Sequence, residues 1–247
     1  MSRPLTLRLP GWVRVGLLAA LLPAALPAQP PGRCRFNAPQ SRRVSDWASA
    51  VAPAGRIGTD EVLRVPVVVH LVAHPSAPAV TDAQVYAQLR VLNEDFRRRN
   101  ADTVRTLPAF RPVAADCGIE FYLAPVDPEG NATSGITRTV TAHGPFANDD
   151  IHRGSAGGRD GWDPSRYLNV WVGNLAAGIS GYGTPPGGPA YQDGVVVHYQ
   201  HFGTGGTALP PYNRGRSATH EVGHWLGLRH PWGAPGGCAD GDGIPDT

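Results

Sequence analysis

The sequence contains no lysine; all 22 of its basic side chains are arginine. Without a lysine amine there is no Schiff base to a carbonyl substrate and no lysine for a phosphate-binding loop, which excludes pyridoxal enzymes and ordinary nucleotidases. Methionine occurs once, as Met1, and cysteine three times, as Cys34, Cys117 and Cys238. An odd number of thiols cannot pair completely in an oxidising compartment, so at least one is free, bound to something or missing its mate. The apolar run from Val15 to Leu26 is interrupted by Pro23 and falls short of the roughly 20 residues that a bilayer demands.

What is present points to an exported globular domain. Glycine (31) and proline (25) make the 247-residue chain rich in loops, yet 41% hydrophobic content with six tryptophans is too apolar for disorder. Arg3, Arg8 and Arg14, with no acid among them, precede the apolar run, which ends in small residues and proline. Residues 1–28 therefore read as a signal peptide of a secreted protein, with no stable membrane anchor. Its removal takes three positive charges from a formal +2, and the remaining −1 offers no electrostatic case for nucleic acid. Residues 29–60, Arg- and Ala-rich without apolar period, suit a tail or pro-segment, leaving 61–247 as a single catalytic domain.

The expected fold is α+β, a mixed twisted sheet with a backing helix and an active-site helix. The β-branched run from Arg64 to Ala73 predicts a buried strand. Thr81 can cap a helix whose Val85, Leu89, Leu92 and Phe96 form one buried stripe. Shorter strands are expected over residues 119–124 and 136–141, joined like a hairpin through the turn sequence DPEGN, and over 167–172 and 194–199. The glycine clusters at 154–161 and 203–206 lack phosphate-cradle spacing and read as loop.

Chemistry concentrates in SATHEVGHWLGLRHPW, residues 217–232, where His220, Glu221, His224, Gly227 and His230 form H-E-x-x-H-x-x-G-x-x-H. Residues four apart share a helix face, so His220 and His224 can hold one ion. Gly227 can adopt positive φ, end the helix and return the chain so that His230 becomes the third ligand. Three imidazoles leave one exchangeable position, the catalytic zinc pattern, and Glu221 stands where it can take a proton from a zinc-bound water and pass it to a departing amine. The expectation is hydrolysis of internal peptide bonds in protein or peptide substrates. The remaining histidines, His70, His74, His143, His152, His198 and His201, lack ligand spacing and read as core or surface groups.

This motif, with LNVWVGNLAAGISGYGTPPGGPAYQDGVVVHY before it and GCADGDGIPDT after it, resembles the pappalysin branch of the metzincin metalloendopeptidases, including the bacterial cytophagalysins. The resemblance runs from about Arg64 to Thr247. It implies zinc on His220, His224 and His230, Glu221 as general base, and a sheet whose edge strand pairs with extended substrate. The segment Ser180–Gly183 is the candidate neighbour of that strand.

The sequence departs from the family in one place. Metzincins carry a methionine turn beyond the third histidine, and here the chain stops at Thr247 without one. Two expectations follow, a fragment of a longer protein lacking most of its C-terminal subdomain, or a catalytically inactive zinc-containing binding or structural protein. The family counterpart of Cys238 is disulfide-bonded to a cysteine farther along. Cys34 lies where related proenzymes use a thiolate for latency, and the alternatives are an unconstrained thiol or a disulfide. Cys117 reads as a small buried hydrophobe. Asp240, Asp242 and Asp246 form an acidic loop that is either a solvated turn or the calcium site some pappalysins have; Ile244 breaks the EF-hand pattern. Oligomeric state is not readable.

Overall fold

The structure, a computed structural model, describes residues 61–231. The expected signal peptide and pro-segment, Cys34, Cys238, and the loop of Asp240, Asp242 and Asp246 lie outside the described residues.

Strand β1 (Leu63–Ala73) is central, and Val67, Val68 and Val69 are wholly buried because both sheet faces are covered. Each such valine contributes about 1.5–2 kcal/mol of apolar burial. One edge of β1 is shared: residues 63–67 pair with β2 (Ile119–Leu123) and residues 69–73 with β3 (Ile136–Val140), both parallel. The other edge pairs in parallel with β4 (Leu168–Gly173), which pairs with β6 (Gly194–His198); β5 (Gly181–Gly183) closes the sheet antiparallel to β6. The order β2-β1-β4-β6-β5 leaves β5 at an edge.

The hairpin expected between β2 and β3 does not form. DPEGN does fold back on itself, with Asp127 N donating to Asn131 O (2.9 Å) and Val126 bridging Ala132, but this reversal is confined to the connection. At Gly135 (φ +69°) a Cβ would lie 2.8 Å from Ala124 N, so the chain re-enters directly beside the point where it left. It then resumes β1's direction.

Helix α1 (Asp82–Phe96) begins as its sequence predicts, with Thr81 accepting from Gln84 N at 3.2 Å, and buries Val85, Leu89, Leu92 and Phe96 against the sheet. Gln84 and Gln88 are buried on it too. Gln84 Nε2 donates to Phe202 O (2.7 Å) and Gln88 Nε2 to Gly215 O (2.9 Å), tying down the loop that leads to helix α2 (Arg216–Trp225). Ala218 and Val222 bring α2 into the same core.

The opposite sheet face is roofed by residues 144–162. Across it the register aligns Thr137, His70, Trp171, Val196 and Tyr182 in one row spanning β3, β1, β4, β6 and β5. His70 Nε2 donates to Asn169 Oδ1 (3.0 Å), so its Nδ1 accepts from Thr137 Oγ1 (2.8 Å); this neutral tautomer follows from Asn169 Nδ2 donating to Trp162 O. His152, from the roof, stands edge-on to Trp171 with ring centres 4.4 Å apart, and its Nε2 lies 3.3 Å from the Tyr182 hydroxyl. Burial, above all, lowers the pKa of both histidines to about 4.

Candidate active site

Helix α2 is held at both ends. Near its start, Asp95 of α1 accepts from Thr219 Oγ1 (2.8 Å) and pairs with Arg216 Nε (3.0 Å). At its end, Trp225 Nε1 donates to Asp193 Oδ1 (2.7 Å), on the segment entering β6. The positions of His220, Glu221 and His224 are therefore set relative to both α1 and the sheet.

Gly227 has φ +94° and performs the reversal expected of it. Its N–H donates to His224 O and the N–H of Leu228 to Gly223 O, both at 2.9 Å, which is the paired closure of a Schellman helix end. The chain then brings His230 back to the helix. The Nε2 atoms of His220, His224 and His230 stand 3.1 Å from one another along all three sides of a triangle.

Hydrogen bonding among the imidazoles alone does not account for this triangle. His224 Nδ1 donates to Leu228 O at 2.8 Å, so its Nε2 carries a lone pair directed at the other two nitrogens. Three nitrogens about 2.0–2.1 Å from one ion in tetrahedral directions would be ~3.3 Å apart, so the observed set fits a metal of that kind. Burial lowers the pKa of all three, that of His224 to about 4, which keeps them neutral and able to ligate at pH 7. They form the one group of three or more potential ligand side chains that converges in this way among the described residues.

Glu221 is 1% exposed and lies beneath β5. A Cβ on Gly181 would come within 3.1 Å of Glu221 Oε1, and one on Gly183 within 2.3 Å of Glu221 O and 3.1 Å of His224 Cβ. The segment expected beside the edge strand is thus the edge strand itself, and its two glycines let it lie directly on helix α2. Tyr182, between them, points to the opposite face.

A cavity of about 330 Å³ opens on the other side of the histidines, lined by Asp95, Thr219, His220, Leu228 and His230. Cys117 also borders it and is exposed, contrary to the buried position expected. Its backbone N–H is anchored to Phe96 O (3.0 Å), which secures the loop without burying the thiol.

Sequence reasoning missed Asp95, Asp193 and the individual role of Tyr182 within the expected edge segment. Of these only Tyr182 carried a local signal, since glycines on both sides of a bulky residue in a strand mark close approach. Buried His70 and His152 belong to the core, as expected of non-ligands, and His198 and His201 are half-buried against Tyr199 and Tyr212.

The family model described as pregnancy-associated plasma protein-A, a peptidase family, matches residues 153–247. An extracellular metalloprotease of Pyricularia oryzae is 30% identical over 251 residues, covering 93% of this chain and 75% of the relative. One of Uncinocarpus reesii is 29% identical over 239 residues, covering 92% and 73%. Among solved structures, Tannerella forsythia mature mirolysin in complex with a cleaved peptide has TM-score 0.72 and 47% identity over 76% of this chain and 72% of that one. A T. forsythia promirolysin mutant has TM-score 0.76 and 45% identity, covering 83% and 68%.

Proposed function

Because this chain belongs to the pappalysin family of metzincin metalloendopeptidases, we propose that it is a secreted zinc-dependent endopeptidase in which Glu221 is the general base and then the general acid. The observation that carries the reading is the 3.1 Å triangle of Nε2 atoms beside a buried carboxylate on the same helix. His220, His224 and His230 would hold zinc. When bound, zinc polarises an adjacent carbonyl and lowers the pKa of water toward about 7.

The chain's own residues supply the remainder. β5 stands at the edge of the sheet formed by the described residues, where an extended peptide can pair with the strand backbone, as strand addition requires. Glu221 lies directly beneath that edge, so its carboxylate can accept the proton of the attacking water and deliver it to the amine that leaves. The Leu228 carbonyl holds His224 in the tautomer that presents Nε2. Secretion is supported by the extracellular designation of the fungal relatives.

Glu221→Ala in the full-length protein tests the assignment. Cleavage of a quenched fluorescent peptide should fall by about 10²–10⁴-fold while zinc content stays stoichiometric. Proteolysis that persists in the variant, or folded wild-type protein that binds no zinc, would overturn it.

A further inference from the structure

β5 has three residues, and two of them are glycines, so Tyr182 is the one side chain by which the strand can be gripped. Gly181 and Gly183 rest on α2 below and pair with Val197 and Val195 of β6 alongside. On the roofed face the position of the strand therefore depends on what holds Tyr182. Its ring joins the cluster of Trp171, Ile151 and Val196, and its hydroxyl meets His152 Nε2 at 3.3 Å.

His152, which ends the short turn Asp149–His152, is itself fastened to the middle of the sheet. Its ring stands edge-on to Trp171 of β4, with centres 4.4 Å apart, and to Tyr182 at 5.9 Å. The preceding residue, Ile151, is wholly buried, and a Cβ on Gly173 of β4 would come within 2.9 Å of its Cδ1. Ile151 O accepts from Arg159 N (3.0 Å), and Arg159 O accepts from Trp171 Nε1 (2.8 Å). A continuous series of contacts thus runs from β4 through the roof to the edge strand.

An imidazole at this position does not serve folding alone. His152 is 1% exposed, and its Nδ1 is buried without a hydrogen-bond partner among the described residues. A buried polar atom left unpaired is destabilising, whereas a phenyl ring would fill the same slot between aromatic groups without that penalty. What the imidazole adds over a phenyl ring is its contact with the Tyr182 hydroxyl.

We propose that His152 is a positioning residue for proteolysis, which acts through the Tyr182 hydroxyl to hold β5 where the strand can pair with a peptide. The proposal rests on the endopeptidase reading and adds to it a residue on the opposite face of the sheet from the histidine triangle. Without this brace β5 samples positions that do not pair, and apparent affinity falls with the fraction of competent strand. A peptide that does pair still meets Glu221, so turnover of bound peptide is retained.

The test uses the full-length protein and quenched fluorescent peptides long enough to pair along β5. His152→Phe should hold or raise Tm, yet raise KM by about three- to tenfold, as loss of one hydrogen bond implies, with kcat within about twofold. His152→Gln, whose amide reaches the place of Nε2, should return KM to within about twofold of wild type. Tyr182→Phe should raise KM by the same factor as His152→Phe, and combining the two should raise it no further, since both remove one contact. In a second arm, zinc-loaded Glu221→Ala protein carrying the same substitutions is titrated with labelled peptides by fluorescence anisotropy, which reads the strand without turnover.

A His152→Phe protein with wild-type KM and peptide affinity, a loss that His152→Gln fails to restore, or additive effects of the two Phe substitutions would overturn the brace. Affinity that depends on His152 in the second arm, together with no cleavage by wild type, would support the brace and count against the endopeptidase reading.

Discussion

Gly183→Ala probes the seat of the edge strand on the helix that carries His220 and His224. The added methyl carbon would lie 2.3 Å from the Glu221 carbonyl oxygen and 3.1 Å from His224 Cβ. Even a close C–H···O contact keeps carbon and oxygen about 3.3 Å apart, so strand and helix must separate by roughly 1 Å. The obstacle is helix backbone, which cannot rotate aside as a side chain does. Overpacking of this kind costs about 1–3 kcal/mol and should lower Tm by roughly 2–10 °C in a chain of this size. A 1 Å displacement between Glu221 and a peptide held on β5 should reduce kcat/KM by about 10²-fold. Gly223→Ala, on the same helix, is the control. There a Cβ meets only Leu228 Cδ1 at 3.6 Å, an ordinary contact, and alanine favours helix over glycine by about 1 kcal/mol, so Tm should hold or rise. Calorimetry and a quenched fluorescent peptide assay measure both variants. A Gly183→Ala protein with wild-type Tm and wild-type kcat/KM would refute the packing of β5 on α2.

Two further outcomes follow from the roofed sheet face. His70 and His152 have folded pKa values lowered to about 4 from 6.5, so the unfolded chain takes up protons that the native state refuses as pH falls below 6.5. Their contribution is fully present above pH 6.5 and is lost toward pH 4, on the order of 2 kcal/mol each between pH 7 and pH 5. Urea melts of wild type and His70→Gln should show a shallower pH dependence in the variant, and identical slopes would contradict it. Tyr182→Phe removes the hydroxyl that meets His152 and should destabilise by about 1 kcal/mol while raising KM for extended peptides more than it lowers kcat. Equal loss in both parameters would show that Tyr182 serves the chemistry instead of the strand.

Much of this protein is written locally. The fourfold spacing of His220 and His224, the positive φ available to Gly227, the Thr81 cap and the apolar stripe of α1 each depend on residues within one or two helical turns, so the sequence alone determines them. Continuous β-branched character likewise marks β1 as covered on both faces. Tertiary structure alone decided the rest. DPEGN specifies a reversal but not which strands it joins, and β2 and β3 lie in parallel along one edge of β1 because that edge was long enough for both. Asp95 meets Thr219 across 124 positions of chain and His152 meets Tyr182 across 30, and no local pattern encodes partners at such distances. The convergence of the three histidines thus rests on short-range helix geometry, whereas the surfaces that grip the helix and flank the cleft arise only once distant segments pack together, since packing is a property of the assembled surfaces.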